Sequence, residues 1–364
     1  MTKHLISLAA ALALSSHIAA QEESETPPPS PNEIVAEASA DEWIAVAPED
    51  LIVMTLAPDA EGNSREVIIQ LMPPPFSEKW TANIRTFARS GWFDDITVNR
   101  VQDNYVVQWG DANYDNPESD GPPKALPEGL VETSEQDYVL PYTPDMFDKL
   151  WSTRGRRDAV QRLMPTTRAN PDWTGFDDPY ANGFAFVGAM PVAMDLTTKE
   201  MVVEQVDRNS GTIVKYKDHT SAPSVVWPVH CYGMVGVGRN YSPDAGTGAE
   251  LYTVIGHAPR HLDRNIALVG RVVEGIEHLS SLPRGKGALG FYEDESKRTP
   301  LLTVRVASDL PESERPAFAY LDTAGETFAR YADARANRHD PFFIVPAGGA
   351  DICNIPVPVR RVAE

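Results

Sequence analysis

The sequence predicts a mainly β protein built on a closed, eight-stranded antiparallel barrel that is capped by two helices. Short apolar runs bounded by turn residues account for about eight strands. Two further segments carry apolar residues at helical spacing. The runs fall into two blocks, which a long turn-rich stretch separates. We therefore expect a barrel domain over residues 46–310 with an insertion at 112–229, followed by a helical C-terminal extension over 311–364.

The first block begins with two strand-like runs, 51–55 and 66–71, joined by a turn that contains Asp, Gly and Asn. A triplet of prolines ends the second run, because proline lacks the N–H that strand pairing needs. Residues 93–101 and 105–110 supply two more strands. The first block therefore predicts four barrel strands in two antiparallel pairs.

A helix is predicted between these two strand pairs. Apolar residues recur at helical spacing from Phe76 through Trp80 and Ile84 to Phe87. Ser77 is placed to act as the N-cap of this helix. The simplest interpretation of the apolar stripe is a helix that packs against the sheet.

The second block predicts the remaining strands and a second, shorter helix. Its elements, in order, are the strands 233–237, 251–255 and 266–269, the helix 274–282 and the strand 301–307. Alternating short strands and turns of this kind are typical of closed β-barrels.

The insertion at 112–229 is rich in turns and prolines. It contains a predicted helix over 144–164 and a predicted hairpin formed by 190–194 and 200–205. A compact domain rarely needs so long a loop, so the insertion is expected to be a subdomain or a functional excursion.

The C-terminal extension predicts an amphipathic helix over 314–338. Phe318, Leu321 and Phe328 belong to its expected inner face, and Ser313 is its expected N-cap. A proline-rich end follows this helix.

The N-terminus is expected to direct export. Lys3 precedes an apolar run over 5–14, and small residues stand before an acidic segment, which is the layout of a secretory signal peptide over 1–20. Residues 21–50 hold nine acidic residues and no Lys or Arg, so 21–45 is predicted to be a disordered, proline-rich tether. The bacterial periplasm is the expected compartment, and secretion is the alternative.

The formal net charge of −20 makes nucleic acid an unfavourable partner, because the protein repels phosphate backbones. No segment of the predicted mature chain approaches the roughly 20 apolar residues that a membrane-spanning helix needs. Two cysteines are present. Cys231 and Cys353 either pair in an oxidising compartment, which would tie the C-terminal tail to the barrel, or remain as buried free thiols.

No metal or cofactor is predicted. The segment that starts at Asp111 resembles a calcium loop but has Asn116 where that loop needs glycine. His257 and His261 have the spacing of zinc ligands, yet Pro259 lies between them and no Glu follows His257. No Gly-x-Ser-x-Gly nucleophile elbow is present, so hydrolase chemistry has no support.

Two separated motifs carry the functional signal. In the first, a strand ends at Arg100, and the next strand offers Tyr105, Val106 and Gln108 in quick succession. In the second, a strand that starts at 233 is followed by a loop, the run 250–255, a Leu-Asp turn and a strand over 267–275. Their order and spacing over residues 50–111 and 231–308 resemble the cyclophilin family of prolyl cis/trans isomerases.

This resemblance implies a cyclophilin-like barrel and roles for the first motif. Arg100 aligns with the catalytic arginine of the family. Tyr105 and Val106 take the places of the Phe and Met that form the floor of the proline pocket. Gln108 matches the glutamine that holds the arginine and touches the substrate backbone.

The same resemblance implies roles for the second motif. Gly238 and Arg239 fall where the family binds the residue before the proline. Tyr252 replaces a pocket phenylalanine, and Leu262 matches a pocket leucine. These residues complete a predicted site for proline-containing segments of exported client proteins.

Four positions depart from the family pattern. Glu250 stands where the family has glutamine, His261 replaces an aromatic residue that is often tryptophan, Ile266 replaces a pocket histidine, and Trp109 replaces a glycine. Glu250 and His261 nevertheless belong to the predicted substrate-binding set. A carboxylate at position 250 would either pair with Arg100 and divert it from substrate or favour basic peptides.

The resemblance favours an isomerase, and two alternatives stay open. In the first, the barrel keeps its peptide groove as a weak or inactive binding and chaperone scaffold, with the insertion as the partner surface. In the second, the barrel is structural and the insertion carries an unrecognised activity. The retained Arg100 and Gln108 favour the enzyme, whereas Trp109, Glu250 and Ile266 favour the binding scaffold.

Overall fold

The structure is a computed structural model that describes residues 27–113, 121–141, 179–181, 183–206 and 213–362. The described α-helices are α1 (Pro31–Ala36), α2 (Glu78–Arg89), α3 (Glu277–Ser280) and α4 (Glu326–Ala336). The described strands are β1 (Trp43–Ala45), β2 (Leu51–Leu56), β3 (Arg65–Leu71), β4 (Thr97–Val101), β5 (Val106–Gly110), β6 (Leu140–Pro141), β7 (Gly183–Val187), β8 (Met190–Val206), β9 (Ile213–Pro228), β10 (Met234–Val237), β11 (Leu251–Val254), β12 (Leu268–Glu274), β13 (Thr299–Val306), β14 (Phe318–Leu321) and β15 (Val359–Arg361).

Eight of these strands close into the predicted antiparallel barrel. Around the barrel the order is β10-β11-β5-β4-β13-β2-β3-β12, and β12 pairs with β10 to complete the circle. The two sequence blocks therefore alternate in space. Because β5 of the first block pairs with β11 of the second, Gln108 lies opposite Tyr252. This pairing brings the two predicted halves of the site together.

The barrel interior is the largest apolar core of the described residues. Inward residues of β2 and β3 contribute to it in strict alternation. The buried members on these two strands are Ile52, Met54, Leu56, Val67, Ile69 and Leu71.

Two helices cap the barrel, as the sequence predicts. Trp80, Ile84 and Phe87 of α2 and Leu279 of α3 join the buried barrel core. Ser77 stands at the N-cap position of α2, but its side chain does not accept a hydrogen bond from the first turn of this described helix. Its backbone is left-handed with φ of 52°, and its hydroxyl instead donates to the carbonyl of Leu268 at 2.6 Å. Ser77 therefore ties the helix start to the strand β12.

The insertion forms a second sheet in the order β6-β9-β8-β7. The predicted hairpin of 190–194 with 200–205 is wrong, because residues 190–206 are one strand that pairs along its length with β9. The run 200–205 pairs with residues of β9, which begins at residue 213, and not with 190–194. The helix predicted over 144–164 lies outside the described residues.

The described part of the segment before the barrel contains the helix α1 and the strand β1, where the sequence had predicted a disordered tether up to residue 45. Ser30 and Glu33 form a capping box that starts α1, and Ile34 is buried. Strand β1 then pairs with β14 of the C-terminal extension. The acidic composition misled the prediction, because a few apolar residues dock on a distant part of the chain.

The C-terminal extension also differs from its prediction. Residues 318–321 form β14, which pairs with β1 and β15, and the helix α4 begins only at Glu326. Ser313 is therefore not the N-cap, a position that Gly325 takes. Phe318 and Leu321 satisfy a helical spacing, yet strand partners from remote parts of the chain decide their structure.

Cys231 and Cys353 form a disulfide with a Cα–Cα distance of 5.0 Å. Of the two alternatives left open by the sequence, the structure has the paired one. The disulfide joins the segment that directly precedes β10 to the C-terminal extension. Both cysteines pack in the apolar cluster shared by the insertion sheet and α4.

Within the described ranges, no helix has the length and apolar character required to cross a membrane.

Candidate active site

The β4–β5 hairpin positions Arg100. Strand β4 carries a register shift between Val98 and Arg100, and Arg100 then lies opposite Gln108. The tight turn that follows passes through Asn104, whose φ is 50°, a value that asparagine tolerates better than most residues. The hairpin therefore directs the arginine and the glutamine to one face.

The guanidinium of Arg100 is held on several sides. Its Nη1 donates to Gln108 Oε1 at 3.1 Å, its Nε donates to the Leu289 carbonyl at 2.7 Å, and its Nη2 donates to Gln102 Oε1. The rings of Tyr105 and Phe291 lie 5.6 and 5.7 Å from the guanidinium carbon. Both distances are within the range of cation–π attraction.

Burial lowers the pKa of Arg100, and the nearby Tyr105 opposes that shift. Arginine starts from so high a pKa that it remains a cation at neutral pH. The site therefore presents a partly desolvated positive charge, which interacts more strongly with a developing negative charge than an exposed one would.

A pocket of about 180 Å³ opens beside this guanidinium. It contains every predicted site residue except His261. The lining residues are Arg100, Tyr105, Val106, Gln108, Gly238, Arg239, Glu250, Tyr252, Leu262, Ile266, Leu289 and Phe291. His261 stacks on the ring of Tyr105 with 6.4 Å between ring centroids, so it belongs to the surroundings of the pocket rather than to its lining.

One end of the pocket is apolar. Val106, Tyr252 and Val254 form a small buried cluster, and Tyr105 and Ile266 pack against it. A proline ring, which is compact and apolar, fits an environment of this kind.

The other end of the pocket is polar. Glu250 is only 3% exposed, and Gln108 Nε2 donates to its Oε2 across 3.4 Å. Gln108 therefore bridges the guanidinium of Arg100 and the carboxylate of Glu250. A Cβ added to Gly110 would lie 2.1 Å from Glu250 Oε1, so the glycine provides the space that this carboxylate occupies.

Arg239 stands at the rim of the polar end. Its Nε and Nη2 donate to the carbonyl of Asn265 at 3.2 and 2.8 Å, and its Nη1 donates to the carbonyl of Asn240 at 2.7 Å. These bonds hold the side chain between the loop that follows β10 and the segment that precedes β12. Gly238 precedes it, and its N–H donates to the Glu250 carbonyl.

The sequence reasoning missed Leu289 and Phe291 as lining residues. Both follow α3, in or just after the glycine-rich segment 285–290, which lacks the spacing of a phosphate-binding loop and so carries no motif. Leu289 has a φ of 54° and is 65% exposed, so the loop presents its carbonyl to Arg100 while its side chain lies at the pocket mouth. Phe291 forms an isolated bridge with Arg100 itself.

Sequence reasoning also missed a buried polar network behind Tyr252. His230, Tyr252 and Asp263 form a chain of hydrogen bonds, and Arg260 joins it at Asp263. The only sequence signals were a tyrosine in place of a pocket phenylalanine and the Leu-Asp turn at 262–263. His230 carried no recognisable motif.

Within the part of the chain that the structure describes, no group of three or more His, Cys, Asp or Glu side chains is arranged to hold a metal ion.

The barrel and the arginine-lined pocket define a cyclophilin-type protein. The family model described as cyclophilin type peptidyl-prolyl cis-trans isomerase matches residues 66–308, and the chain belongs to that family. This range includes the insertion and every residue of the pocket.

Individual relatives and structures agree with this assignment. A probable peptidyl-prolyl cis-trans isomerase of Brucella suis is 26% identical over 157 residues, which are 43% of this chain and 73% of the relative. A protein of the same description from Brucella abortus is 25% identical over the same length and shares. The crystal structure of cyclophilin AquaCyp293 from Hirschia baltica has the same fold. It aligns with a TM-score of 0.56 and 18% identity, covering 89% of this chain and 98% of that chain.

Proposed function

We propose that this protein catalyses cis/trans isomerisation of X-Pro bonds in exported proteins, with Arg100 as the electrophilic group. The observation that carries the proposal is the placement of one partly desolvated guanidinium in a pocket with an apolar end. A guanidinium has five N–H donors, and Arg100 uses three of them on described residues. Two donors therefore remain to face a substrate.

The chemistry needs no nucleophile, metal or proton transfer. An X-Pro amide rotates over a barrier of about 18–20 kcal/mol, because its resonance is lost in the twisted state. The prolyl nitrogen then becomes pyramidal and gains a lone pair. A donor that reaches this nitrogen only in the twisted state stabilises the transition state more than the ground state, and that difference accelerates the reaction.

The remaining residues divide the work of binding. Val106, Tyr252 and Leu262 offer apolar surface to the proline ring, and Gln108 keeps the guanidinium aimed across the pocket. Because the ring is taken from water, the planar amide loses hydration beside the charge that favours its twisted form. Arg239 and Gly238 would face the residue that precedes the proline.

The first prediction concerns Arg100→Ala. We expect turnover to fall at least tenfold, which corresponds to a loss of about 1.4 kcal/mol of transition-state stabilisation. The measurement is NMR exchange between the cis and trans forms of an X-Pro test peptide, with the wild-type protein and the variant. Arg89→Ala is the matched control, since Arg89 lies on α2 and pairs with Glu49 and Asp309 away from the pocket.

Exchange that persists undiminished in folded Arg100→Ala would place the catalysis elsewhere. Circular dichroism and thermal unfolding of both variants separate a lost catalyst from a lost fold.

The second candidate function is a peptide-binding scaffold with little catalysis. It is favoured by Glu250, whose buried carboxylate lies one amide group away from the catalytic arginine. Peptide line broadening without accelerated exchange, in a folded wild-type protein, would identify the scaffold.

Export is part of the proposal and has its own support. The apolar run over 5–14 with small residues before position 21 fits a signal peptide, and a disulfide such as Cys231–Cys353 persists best in an oxidising compartment. We expect the periplasm, with secretion as the alternative, and proline-containing segments of exported proteins as partners. N-terminal sequencing of the protein from periplasmic and medium fractions would test the cleavage near residue 21 and the compartment together.

A further inference from the structure

A chain of buried hydrogen bonds runs from the wall of the pocket into the protein. The hydroxyl of Tyr252 lies 2.8 Å from His230 Nε2, and His230 Nδ1 lies 2.9 Å from Asp263 Oδ1. His230, Tyr252 and Asp263 are 0, 4 and 4% exposed. The backbone N–H of His230 also donates to Asp263 Oδ1 at 2.9 Å. Both ends of the histidine side chain are therefore held, with no need for water.

The partners fix where the protons lie. An ionised carboxylate only accepts hydrogen bonds, so His230 must donate from Nδ1 to Asp263. In the neutral ring Nε2 is then an acceptor, and the hydroxyl of Tyr252 donates to it. The phenol is thus held by a directional bond at the end farthest from its backbone.

The strand beside Tyr252 leaves room for this arrangement. Gly236 on β10 pairs in register with Tyr252 on β11. A Cβ added to Gly236 would lie 2.3 Å from both Cζ and Oη of Tyr252. A glycine inside a strand often marks a place where another group approaches the backbone closely. Here that group is the phenol of Tyr252, which passes over Gly236 and reaches His230.

The same network touches a second wall of the pocket. Asp263 follows Leu262, which lines the pocket, and accepts from Arg260 Nε at 2.6 Å through its other oxygen. The guanidinium of Arg260 lies 5.3 Å from the ring centroids of Tyr180 and Phe184 in the insertion. The insertion therefore covers the outer end of the network.

We propose that His230 and Asp263 are positioning residues that hold the ring of Tyr252 in place as a wall of the proline pocket. This inference rests on the proposed function, since it assumes that the pocket takes a proline. The hydroxyl of Tyr252 points away from the substrate and into the network, so it acts on binding through the ring and not by contact with the peptide. Neither histidine nor aspartate touches the substrate.

The kinetic test compares two buried tyrosines. Tyr252→Phe keeps the ring and removes its anchor, so we expect KM for an X-Pro peptide to rise about threefold or more while kcat stays within about twofold. Tyr331→Phe is the matched control. Its hydroxyl donates to the Pro356 carbonyl at 2.7 Å in the C-terminal extension, so KM should not change. His230→Asn should reproduce the rise in KM of Tyr252→Phe.

An unchanged KM in folded Tyr252→Phe would overturn the inference. So would an equal rise in KM in both tyrosine variants, because that result would indicate a general loss of stability.

The wild-type protein provides a second test that needs no variant. In ¹⁵N spectra of the histidine rings, His230 should have a protonated Nδ1 and an unprotonated Nε2 at neutral pH, and saturation with an Ala-Pro peptide should shift its Nε2 signal. A protonated Nε2, or an unmoved signal while amides of the pocket strands shift, would overturn the inference.

These results also separate the inference from the function on which it rests. A wild-type protein that neither binds nor isomerises X-Pro peptides removes both. A wild-type protein that isomerises them, with unchanged KM in Tyr252→Phe, removes the positioning role alone.

Discussion

At the scale of single residues, the site relies on polar groups whose charge states are set by burial. Burial lowers the pKa of His230, and its contact with Asp263 opposes that shift. Burial also raises the pKa of Tyr252 well above its usual value, so the phenol keeps its proton. A neutral imidazole and a neutral phenol are the forms that the hydrogen bond between them requires. The pocket wall therefore depends on deprotonated His230.

This dependence predicts how stability changes with pH. Unfolded histidine titrates near 6.5, and the folded pKa of His230 is lower, so the unfolded state takes up a proton first as the pH falls. The free energy of unfolding contributed by this residue is complete above about pH 6.5 and is lost as the pH falls from there toward the folded pKa. The groups facing His230 are Asp263, Tyr252, Arg260 and His261.

The measurement is urea unfolding of the wild type and of His230→Asn between about pH 7.5 and pH 5. These limits lie roughly one unit above and below the pKa of an unfolded histidine. We expect the wild type to lose up to about 1.4 kcal/mol more per pH unit than the variant. Parallel pH profiles would contradict the prediction.

At the scale of elements, the sequence predicted most of the barrel because its strands have local signals. β2 and β3 are apolar runs between turns, with one face in the barrel interior and the other in a second buried cluster, and α2 carries Trp80, Ile84 and Phe87 at helical spacing. Most of the pocket residues were identified because they belong to two compact motifs. Asp263 belongs to the Leu-Asp turn of the second motif, but His230 belongs to no motif, and the hydrogen bond that joins the two residues spans 33 positions of the chain.

The two wrong predictions of secondary structure also arise because the sequence pattern is local and the pairing partners are distant. The segment at 318–321 satisfies a helical period but becomes a strand because β1 and β15, from opposite ends of the chain, supply edges to it. Strand formation depends on partners that a local pattern does not contain. The same reason applies to β8, which was divided into two strands of a hairpin although it pairs with β9 throughout.

The contact between β10 and β11 gives a prediction at this scale. Gly236→Ala should destabilise the protein by about 1–3 kcal/mol, because the new methyl group meets the phenol of Tyr252 at 2.3 Å. The cost should be smaller in a Tyr252→Leu background, in which no ring passes over position 236. Urea unfolding of the four proteins gives the double-mutant cycle.

An additive cycle, with the same cost of Gly236→Ala in both backgrounds, would mean that the alanine acts through the strand backbone rather than through the ring.

At the scale of the whole molecule, the parts outside the barrel are fastened to it at several points. The strand β1 and the extension share one sheet, and the disulfide Cys231–Cys353 joins the extension to the segment before β10. Cys231 directly follows His230, and the sulfur of Cys353 lies 3.9 Å from the His230 carbonyl. The extension is thus connected to the support of the pocket as well as to the barrel.

Removing this bond gives the last prediction. The two cysteines are separated by 122 positions, and a cross-link that closes so long a loop restricts the unfolded chain. Cys353→Ser should lower the free energy of unfolding by about 2–5 kcal/mol in urea under non-reducing conditions. The wild type should lose a similar amount when dithiothreitol is added, whereas the variant should be insensitive to it.

Equal stability of wild type and variant under non-reducing conditions would contradict this prediction. The reductant comparison controls for the serine hydroxyl, because it breaks the bond without changing the sequence.

The alternation of the two blocks around the barrel has a consequence for how the chain can be divided. Arg100 and Gln108 come before the insertion, and Glu250, Tyr252 and Leu262 come after it, while β5 and β11 lie side by side. A chain cut between β6 and β7 yields one fragment with the guanidinium and another with most of the apolar wall. Neither fragment has a complete active site. Isomerase activity that returns when the two fragments are mixed would therefore show that they had associated, and the protein would serve as its own complementation reporter.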